Sequence, residues 1–265
     1  DQALLELAHL LKQQGYDWQG MFARFPFTQK TDAEALRKQA GASDAFMQDL
    51  GLQVHGVNIA QALKASPAWS VASGSASDRE AIHHQLKMLD TYHGLPNGMF
   101  SADEHLAGRS PSQGTELCTV VETMFSLEVA LAITGDAALG DRLERIAFNA
   151  LPAALTDDMW AHQYNQQANQ VECSLHREPW TTDGPESNLF GLEPNYGCCT
   201  SNMHQGWPKF AAHLWMKTQD DGLVAAAWAP CRVQTRLRGV AVSVDVSTDY
   251  PFRDVIQLRV STEKS

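Results

Sequence analysis

"CTVVETMFSLEVALAITGD", residues 118–136, is the stretch that decides the fold. It predicts the most apolar helix of the chain. The turn Thr134–Gly135–Asp136 then ends this helix and begins a second one, "ALGDRLERIAFNALPAAL", residues 138–155. Two helices joined by so short a turn pack as antiparallel neighbours, so the stretch predicts an architecture of paired helices.

The sequence on either side extends this pattern. Helix caps and apolar spacing predict further helices over residues 1–15, 31–42, 55–65, 202–218 and from 77 to a stop at Gly94–Leu95–Pro96. Residues 157–195 are polar and rich in aromatic residues, which predicts loops. Beyond the turn at 220–222 the period changes, because residues 239–250 and 254–260 alternate between apolar and polar side chains. Such alternation is typical of half-buried strands.

We therefore predict a mainly α fold that is part of an (α/α)6 toroid or barrel, followed by the start of a β-sandwich. The predicted domains are a helical, catalytic segment at 1–219 and an incomplete β domain at 220–265. The chain begins at Asp1 without an initiator methionine and ends directly after a strand pattern. We therefore expect a processed or partial chain, and the compartment, bacterial cytoplasm or periplasm, is left open.

Composition limits the class of partner. The chain has 265 residues, of which 44% are hydrophobic and 19% charged, as in a soluble globular protein. Its formal net charge of −11 argues against nucleic acid or an anionic membrane surface as a partner. No window approaches about eighteen consecutive apolar residues, so we predict no transmembrane helix. Five cysteines do not make a disulfide scaffold, and Cys173 and Cys231 are expected to be buried apolar residues or free thiols.

The other three cysteines stand directly before predicted helices. Cys118 ends "GTELC", and Cys198 and Cys199 are adjacent in "NYGCCTSN". With Glu116 they offer three thiolates and one carboxylate, and zinc takes four N, S or O ligands tetrahedrally. Only the fold can bring residues so distant in sequence together. Spacing alone therefore leaves two interpretations open, a zinc site and incidental thiols.

The same residues allow chemistry on a sugar. A thiolate at a helix N-terminus and beside a metal is deprotonated and hence nucleophilic. A nucleophile that attacks a sugar needs an acid–base partner to protonate the leaving oxygen. Asp103, Glu104 and His105 lie in the loop upstream of Glu116. By itself, such a triplet is more typical of a solvated surface than of a catalytic site.

Three segments carry a resemblance to a known family. They are "HGLPNGMFSADEHLAGRSPSQGTELCTVVETMFSLE" (93–128), "TGD…LERIAFNALPA" (134–153) and "GCCTSN…WPKFAAHLWM…DDGL" (197–223). Together they resemble the β-L-arabinofuranosidase family of glycoside hydrolases. The resemblance covers most of the chain, from about His55 to "TDYPFRDVIQLRV" (248–260). Its most specific parts are the Glu-x-Cys pair and the Cys-Cys pair.

The resemblance implies a retaining glycosidase with a cysteine nucleophile held by zinc. By position, Cys198 would be the nucleophile and Glu104 the general acid/base. The implied zinc ligands are Glu116, Cys118, Cys198 and Cys199. The implied partner is an oligosaccharide or glycan that contains β-linked L-arabinofuranose or a related sugar, with no nucleic acid and no membrane. A homodimer is left open.

Three further residues match sugar-binding positions of that family, namely His55, Glu144 and Tyr164. Structural roles compete with the first two assignments. His55 could be a helix N-terminal histidine bound to a backbone carbonyl, and Glu144 could pair with Arg142 or Arg145 on a solvated face.

The match also departs from the family pattern. Leu117 stands where the best-known members carry a small polar residue, and the loop between Glu104 and Glu116 is shorter than theirs. The preferred sugar and linkage are therefore not fixed by the resemblance. Family proteins also carry earlier barrel helices and later β modules, so we expect the second half of a toroid, and its activity by itself is left open.

Two other functions compete with hydrolysis. One is a structural zinc site in a non-catalytic carbohydrate-binding α/α-toroid protein, because closed four-ligand zinc sites are usually structural. Glu104 discriminates between the two, since a structural site has no use for it. The other is a toroid-fold lyase or epimerase acting on acidic sugars with His105, Arg109 and Tyr164. That alternative leaves the pair at 198–199 unexplained.

Overall fold

The computed structural model describes residues 2–32, 34–35, 38, 51–175, 184–191 and 196–263. About half of the described chain is helical and the sheets are small, which agrees with a mainly α fold. The chain divides into two compact units, Asp1–Trp207 and Pro208–Ser265. The helix predicted over 31–42 falls largely outside the described residues.

Helices build the first unit. In chain order they are α1 (Gln2–Gln14), α2 (Trp18–Arg24), α3 (Gly56–Ala62), α4 (Ala65–Ser73), α5 (Ala76–His93), α6 (Leu117–Thr134), α7 (Ala137–Arg145), α8 (Leu151–Ala153) and α9 (Gly197–Ala212). A π-helical segment, Ile146–Ala150, joins α7 to α8. Two short strands, β1 (Gly114–Glu116) and β2 (Asn165–Gln167), pair antiparallel. The last helix, α9, runs across the boundary between the units.

The apolar helix α6 forms the centre of this unit and packs against α3, α4 and α7. It is long and apolar enough to cross a membrane, and the described residues contain no second helix of this kind. However, 67% of it is buried inside the protein, as expected for a core helix. Gly135 ends it with a φ of 71°, and the Asp136 side chain accepts a hydrogen bond from Ala138 N at the start of α7. The predicted turn between α6 and α7 is confirmed.

Other element boundaries differ from the sequence prediction. The helix predicted over 55–65 ends at Ala62, and α4 follows it. The helix predicted over 202–218 begins at Gly197 and ends at Ala212. The segment after it forms a strand instead, because it pairs with a second strand across the turn at 220–222. β2 lies within a predicted loop, since three polar residues carry no alternation that would indicate a strand.

The second unit is made of strands after the end of α9. The strands β3 (Trp215–Lys217) and β4 (Leu223–Ala225) form a hairpin. The strands β5 (Cys231–Leu237), β6 (Val240–Thr248) and β7 (Ile256–Thr262) form an antiparallel sheet in that order. Val244 and Val246 on β6 are buried, as the predicted alternation requires, whereas Leu258 and Val260 on β7 are exposed, so that strand forms without the predicted half-buried face. The β-sandwich and its boundary after residue 219 stay predictions.

Candidate metal centre and active site

The ladder of β1 and β2 places Glu116 at the start of the core helix. Glu116 pairs with Asn165 in the ladder, and its backbone N donates to Ala102 O at 2.9 Å. The next backbone N, of Leu117, donates to Tyr164 O at 2.8 Å. Cys118 then lies in the first turn of α6. Glu116 and Cys118 are 2% and 1% exposed, so both side chains are directed into the protein.

The pair of adjacent cysteines lies in the first turn of α9. Tyr196 precedes the helix with a φ of 65°, and its carbonyl accepts a hydrogen bond from Cys199 N at 2.9 Å. Cys199 is fully buried, whereas Cys198 is exposed. The two neighbouring thiols therefore differ in access to solvent, which is the first indication that they have different roles.

The four residues predicted as ligands come together in the structure. One ligand atom from each of Glu116, Cys118, Cys198 and Cys199 lies within 4.8 Å of every other, so the group could hold a metal ion. The Sγ atoms of Cys118 and Cys199 are 3.4 Å apart. Oε1 of Glu116 lies 3.9 Å from Sγ of Cys198 and 4.0 Å from Sγ of Cys199.

The three thiols ionise unequally. Hydrogen bonds from the other thiols, chiefly from Cys199, lower the pKa of Cys198 to about 6 against the opposing effect of burial. The pKa of Cys199 is raised, because its thiol donates to Cys118 and Cys198 and because it is buried. The contact with Cys199 acts to lower the pKa of Cys118, but burial and the nearby Glu116 together raise it to about 11. Cys198 is therefore the thiol that ionises at neutral pH.

Glu116 is a buried acid in an unfavourable position. Burial is the main cause that raises its pKa to about 8. Its Oε2 atom is buried and accepts no hydrogen bond. A cation among the four side chains would stabilise their charged forms, since the burial of an acid is favourable only when its charge is compensated. The four side chains are therefore better suited to bind a cation than to remain as four buried acids without one.

A second constellation adjoins the first. Nε2 of His55 lies 3.1 Å from Oε1 of Glu104 and 3.9 Å from Oε2 of Glu116. The Tyr164 hydroxyl donates to Oε2 of Glu104. Burial acts to raise the pKa of Glu104, but the hydrogen bonds from His55 and Tyr164 and the charge of His55 lower it below its usual value. His55, Glu104 and Tyr164 therefore meet beside the four-residue group.

The backbone around Glu104 is tied to the start of α3. Gly56 N donates to Glu104 O at 2.9 Å, and Leu106 N donates to Val54 O at 2.9 Å. His55 caps α3 without a hydrogen bond from its side chain, which faces the carboxylates instead. The alternative role of His55 as a helix cap bound to a carbonyl is thus not observed.

Comparison with known proteins gives a match in structure but not in sequence. No family model matches the chain, and no curated protein matches it. A GH127 β-L-arabinofuranosidase from Geobacillus stearothermophilus T6 superposes with a TM-score of 0.65 at 17% identity, over 79% of this chain and 33% of that chain. The fold of the present chain is therefore similar to that of GH127 β-L-arabinofuranosidases. The resemblance inferred from sequence is therefore confirmed at the level of fold.

Two further solved structures agree. A second GH127 β-arabinofuranosidase has a TM-score of 0.63 at 16% identity and is covered over 31% of its length. A protein described as a glycoside hydrolase has a TM-score of 0.66 at 13% identity and is covered over 37%. The chain thus spans about a third of the length of the GH127 proteins that it matches.

Several contacts near the centre were not foreseen from sequence. His162 is buried, and its Nε2 lies 2.8 Å from the hydroxyl of Thr200, which directly follows the cysteine pair. Glu122, one turn after Cys118, accepts a hydrogen bond from Gln205 on α9 at 3.2 Å. These contacts connect α9 to its surroundings. A polar residue four positions after a ligand on an apolar helix is the signal that could have identified Glu122.

The remaining predicted residue, Glu144, lies half-buried on α7 and belongs to neither ligand group among the described residues. Its assignment to sugar binding stays a prediction. Arg142, a proposed partner for it, pairs instead with Asp90 through two hydrogen bonds of 2.8 and 2.7 Å. The His105 ring lies 6.3 Å from that of His55, and Arg109 is exposed.

Proposed function

We propose that this chain is the catalytic part of a retaining glycoside hydrolase that releases L-arabinofuranose, or a related sugar, from β-linked glycans. One observation carries the proposal: Cys198 is the exposed member of an otherwise buried group of ligands, and Glu104 lies against the same group. An exposed thiol and a neighbouring carboxylate can supply the nucleophile and the acid/base that a retaining glycosidase needs. The similarity in fold to GH127 enzymes supports this assignment.

We further propose that the group holds zinc. Three thiols and one carboxylate match the ligand preference and the coordination number of zinc. Two Zn–S bonds of about 2.3 Å place their sulfur atoms about 3.8 Å apart at a tetrahedral angle. The Sγ atoms of Cys118 and Cys199 are 3.4 Å apart and need to separate only slightly. Bound zinc would keep the thiols ionised at neutral pH.

The proposed reaction has two displacements. In the first, the Cys198 thiolate forms a bond to the anomeric carbon while the bond to the leaving oxygen breaks, and Glu104 in its protonated form, the minor form at neutral pH because its pKa is lowered, gives that oxygen its proton. In the second, the Glu104 carboxylate takes a proton from water, whose oxygen replaces the sulfur on the anomeric carbon. Two inversions leave the configuration retained. His55 and Tyr164 hold the carboxylate of Glu104 in place for both steps.

The finer description of the fold belongs to the same proposal. We place the paired helices in an (α/α)6 toroid and the strands of the second unit at the start of a β-sandwich. The antiparallel pair α6 and α7 and the similarity to GH127 folds support this placement. The toroid would collect the segments that carry Glu104, Glu116 and Cys198 at one end, where a sugar can reach them.

A structural zinc site in a carbohydrate-binding protein is the second candidate. The burial of Glu116, Cys118 and Cys199 favours it, because closed four-ligand sites usually stabilise a fold. This candidate assigns no role to Glu104 or to the exposure of Cys198. We rank it second for that reason.

Hydrolysis by the zinc-loaded chain separates the two candidates. The assay uses a β-L-arabinofuranosyl disaccharide and the activated 4-nitrophenyl glycoside, with zinc content measured on the same samples. Glu104→Gln should lose at least about 100-fold on the disaccharide, less on the activated substrate, and keep its zinc. Cys198→Ser should lose hydrolysis of both substrates. NMR of the first product should show retained configuration.

Cys173→Ser is the matched control, because Cys173 is an exposed thiol outside the ligand group. It should hydrolyse both substrates as the parent does. The proposal is wrong if Cys198→Ser turns over at the parental rate. Zinc binding without hydrolysis of any β-linked arabinofuranoside would favour the structural candidate.

A further inference from the structure

His55, Glu104 and Glu116 form a second group of ligands that shares one residue with the cysteine group. One ligand atom from each of the three lies within 4.8 Å of the others. Imidazole and carboxylate are ligands that zinc accepts, and three protein ligands with an open position form a common type of zinc site. The hydrolase proposal uses Glu104 as the acid/base, His55 to hold it and Glu116 as a ligand of the first zinc, so a second ion on these three residues is a separate property.

Glu116 connects the two groups through its two oxygens. Oε1 faces the sulfur atoms of Cys198 and Cys199, whereas Oε2 faces His55 at 3.9 Å. The Oε2 atom is buried, accepts no hydrogen bond and belongs to a residue that is only 2% exposed. A buried carboxylate oxygen in this state is a ligand available to a cation. A carboxylate that bridges two ions is an arrangement found in two-metal sites.

The distances suit a second ion after small movements. Zn–N and Zn–O bonds of about 2.0–2.2 Å place two such ligand atoms roughly 3.3–3.6 Å apart at a tetrahedral angle. His55 Nε2 and Glu104 Oε1, at 3.1 Å, need to separate slightly, whereas His55 Nε2 and Glu116 Oε2, at 3.9 Å, must approach. The side chains of His55 and Glu104 are 25% and 39% exposed, so they can move and an ion can reach them from solvent.

We propose that a second Zn²⁺ binds His55, Glu104 and Glu116 and reversibly inhibits the enzyme. The inference rests on the proposed function, because inhibition follows only if Glu104 is the acid/base. Oε2 of Glu104 accepts the hydrogen bond from Tyr164 and Oε1 faces His55, so an ion held by His55 lies on Oε1, the oxygen that we assign to proton transfer. An ion on Oε1 excludes the proton and leaves the leaving group without an acid.

The test titrates Zn²⁺ into the protein that already holds one equivalent, with calorimetry and hydrolysis followed in parallel. A second, weaker equivalent should bind, and hydrolysis should fall in step with its occupancy. Citrate, a weak chelator, should restore hydrolysis by removing this equivalent. His55→Ala should keep the first equivalent and bind the second at least about 10-fold more weakly, the lower limit for loss of even an outer-shell partner. Glu104→Gln serves as a second variant.

His83→Ala is the matched control. His83 Nε2 lies 3.2 Å from a carboxylate oxygen of Glu80 and 3.2 Å from one of Asp136, but His83 belongs to neither ligand group. Its removal should leave both equivalents unchanged. The inference is overturned if no second equivalent binds, or if His55→Ala and Glu104→Gln both bind it within about 3-fold of the parent.

Failure of this inference and failure of the proposed function give different results. Hydrolysis with one equivalent of zinc and no second binding event rejects the second site and keeps the hydrolase. A chain without hydrolysis at any zinc concentration rejects the hydrolase and with it the inhibition. In that case, calorimetry on the parent and on His55→Ala would still decide whether a second ion binds at His55.

Discussion

Replacement of Glu122 by glutamine tests the ion pair that joins the core helix α6 to Lys64 at the start of α4. Glu122 is 8% exposed and follows Cys118 by one turn on α6. One oxygen lies 3.2 Å from Lys64 Nζ, and the other accepts a hydrogen bond of 3.2 Å from Gln205 on α9. Glu122→Gln preserves the volume and an acceptor for Gln205 but removes the charge that faces Lys64.

The magnitude follows from burial. Loss of one partner from a fully buried ion pair costs about 3–5 kcal/mol, whereas exposed pairs contribute roughly 0–1 kcal/mol. The side chains of Lys64 and Glu122 are 23% and 10% exposed, so the ammonium retains some contact with water. We expect Glu122→Gln to lower the free energy of unfolding by about 2 kcal/mol. For a domain of this size, this corresponds to a decrease in Tm of roughly 4–8 °C.

Denaturant unfolding and a double-mutant cycle with Lys64→Met measure the effect. The double variant should be more stable than the sum of the single effects predicts, because it leaves no unpaired charge. Glu34→Gln is the matched control, since Glu34 pairs with Lys38 at 3.0 Å but both side chains are 75% exposed. It should change the stability by no more than about 0.5 kcal/mol. If Glu122→Gln changed the free energy of unfolding as little as the control does, the reasoning would be refuted.

Three further substitutions follow from the structure. Gly56→Ala should destabilise the protein by about 1–3 kcal/mol in denaturant unfolding. The reason is that the added Cβ would lie 2.4 Å from Ala102 Cβ and 2.7 Å from Thr119 Oγ1. A variant as stable as the parent would contradict this packing. Burial lowers the pKa of His93 against the effect of its hydrogen bond to a backbone carbonyl, so the unfolded chain gains a proton first as pH falls. The Tm should therefore decrease below about pH 6.5, and the decrease should be smaller in His93→Gln; an equal decrease in both proteins would refute this role. Cys118→Ser should lose bound zinc and hydrolysis together, measured by metal analysis and turnover, and full turnover would show that the metal is incidental.

The parts of the fold that the sequence predicts are those with local causes. Gly135 and Asp136 encode the turn between α6 and α7 in their own backbone and side chain, and the alternation over 239–250 encodes β6. β2 has no such pattern, because its three polar residues form a strand only through pairing with β1. The early start of α9 was missed because the helix-start signal was placed after the cysteines.

The prediction of the site depended on the family resemblance rather than on the spacing of its residues in the sequence. Cys118 and Cys199 are 81 residues apart, and no local pattern brings them to 3.4 Å. The structure brings the four predicted ligands together and gives Tyr164 a specific contact, the donation of its hydroxyl to Glu104. The contacts of Glu122 and His162 arise only from packing between distant segments. The sequence therefore does not specify which residues Glu122 and His162 contact.

Trapping of the covalent intermediate tests the central claim most directly. The zinc-loaded Glu104→Gln protein is incubated with 4-nitrophenyl β-L-arabinofuranoside, whose leaving group departs without an acid. The second displacement then lacks its base, so the intermediate should accumulate. Intact-protein mass spectrometry should show the addition of one pentosyl residue, and peptide mapping should place it on Cys198. Release of nitrophenol with no adduct, or an adduct on another residue, would contradict a zinc-held Cys198 nucleophile.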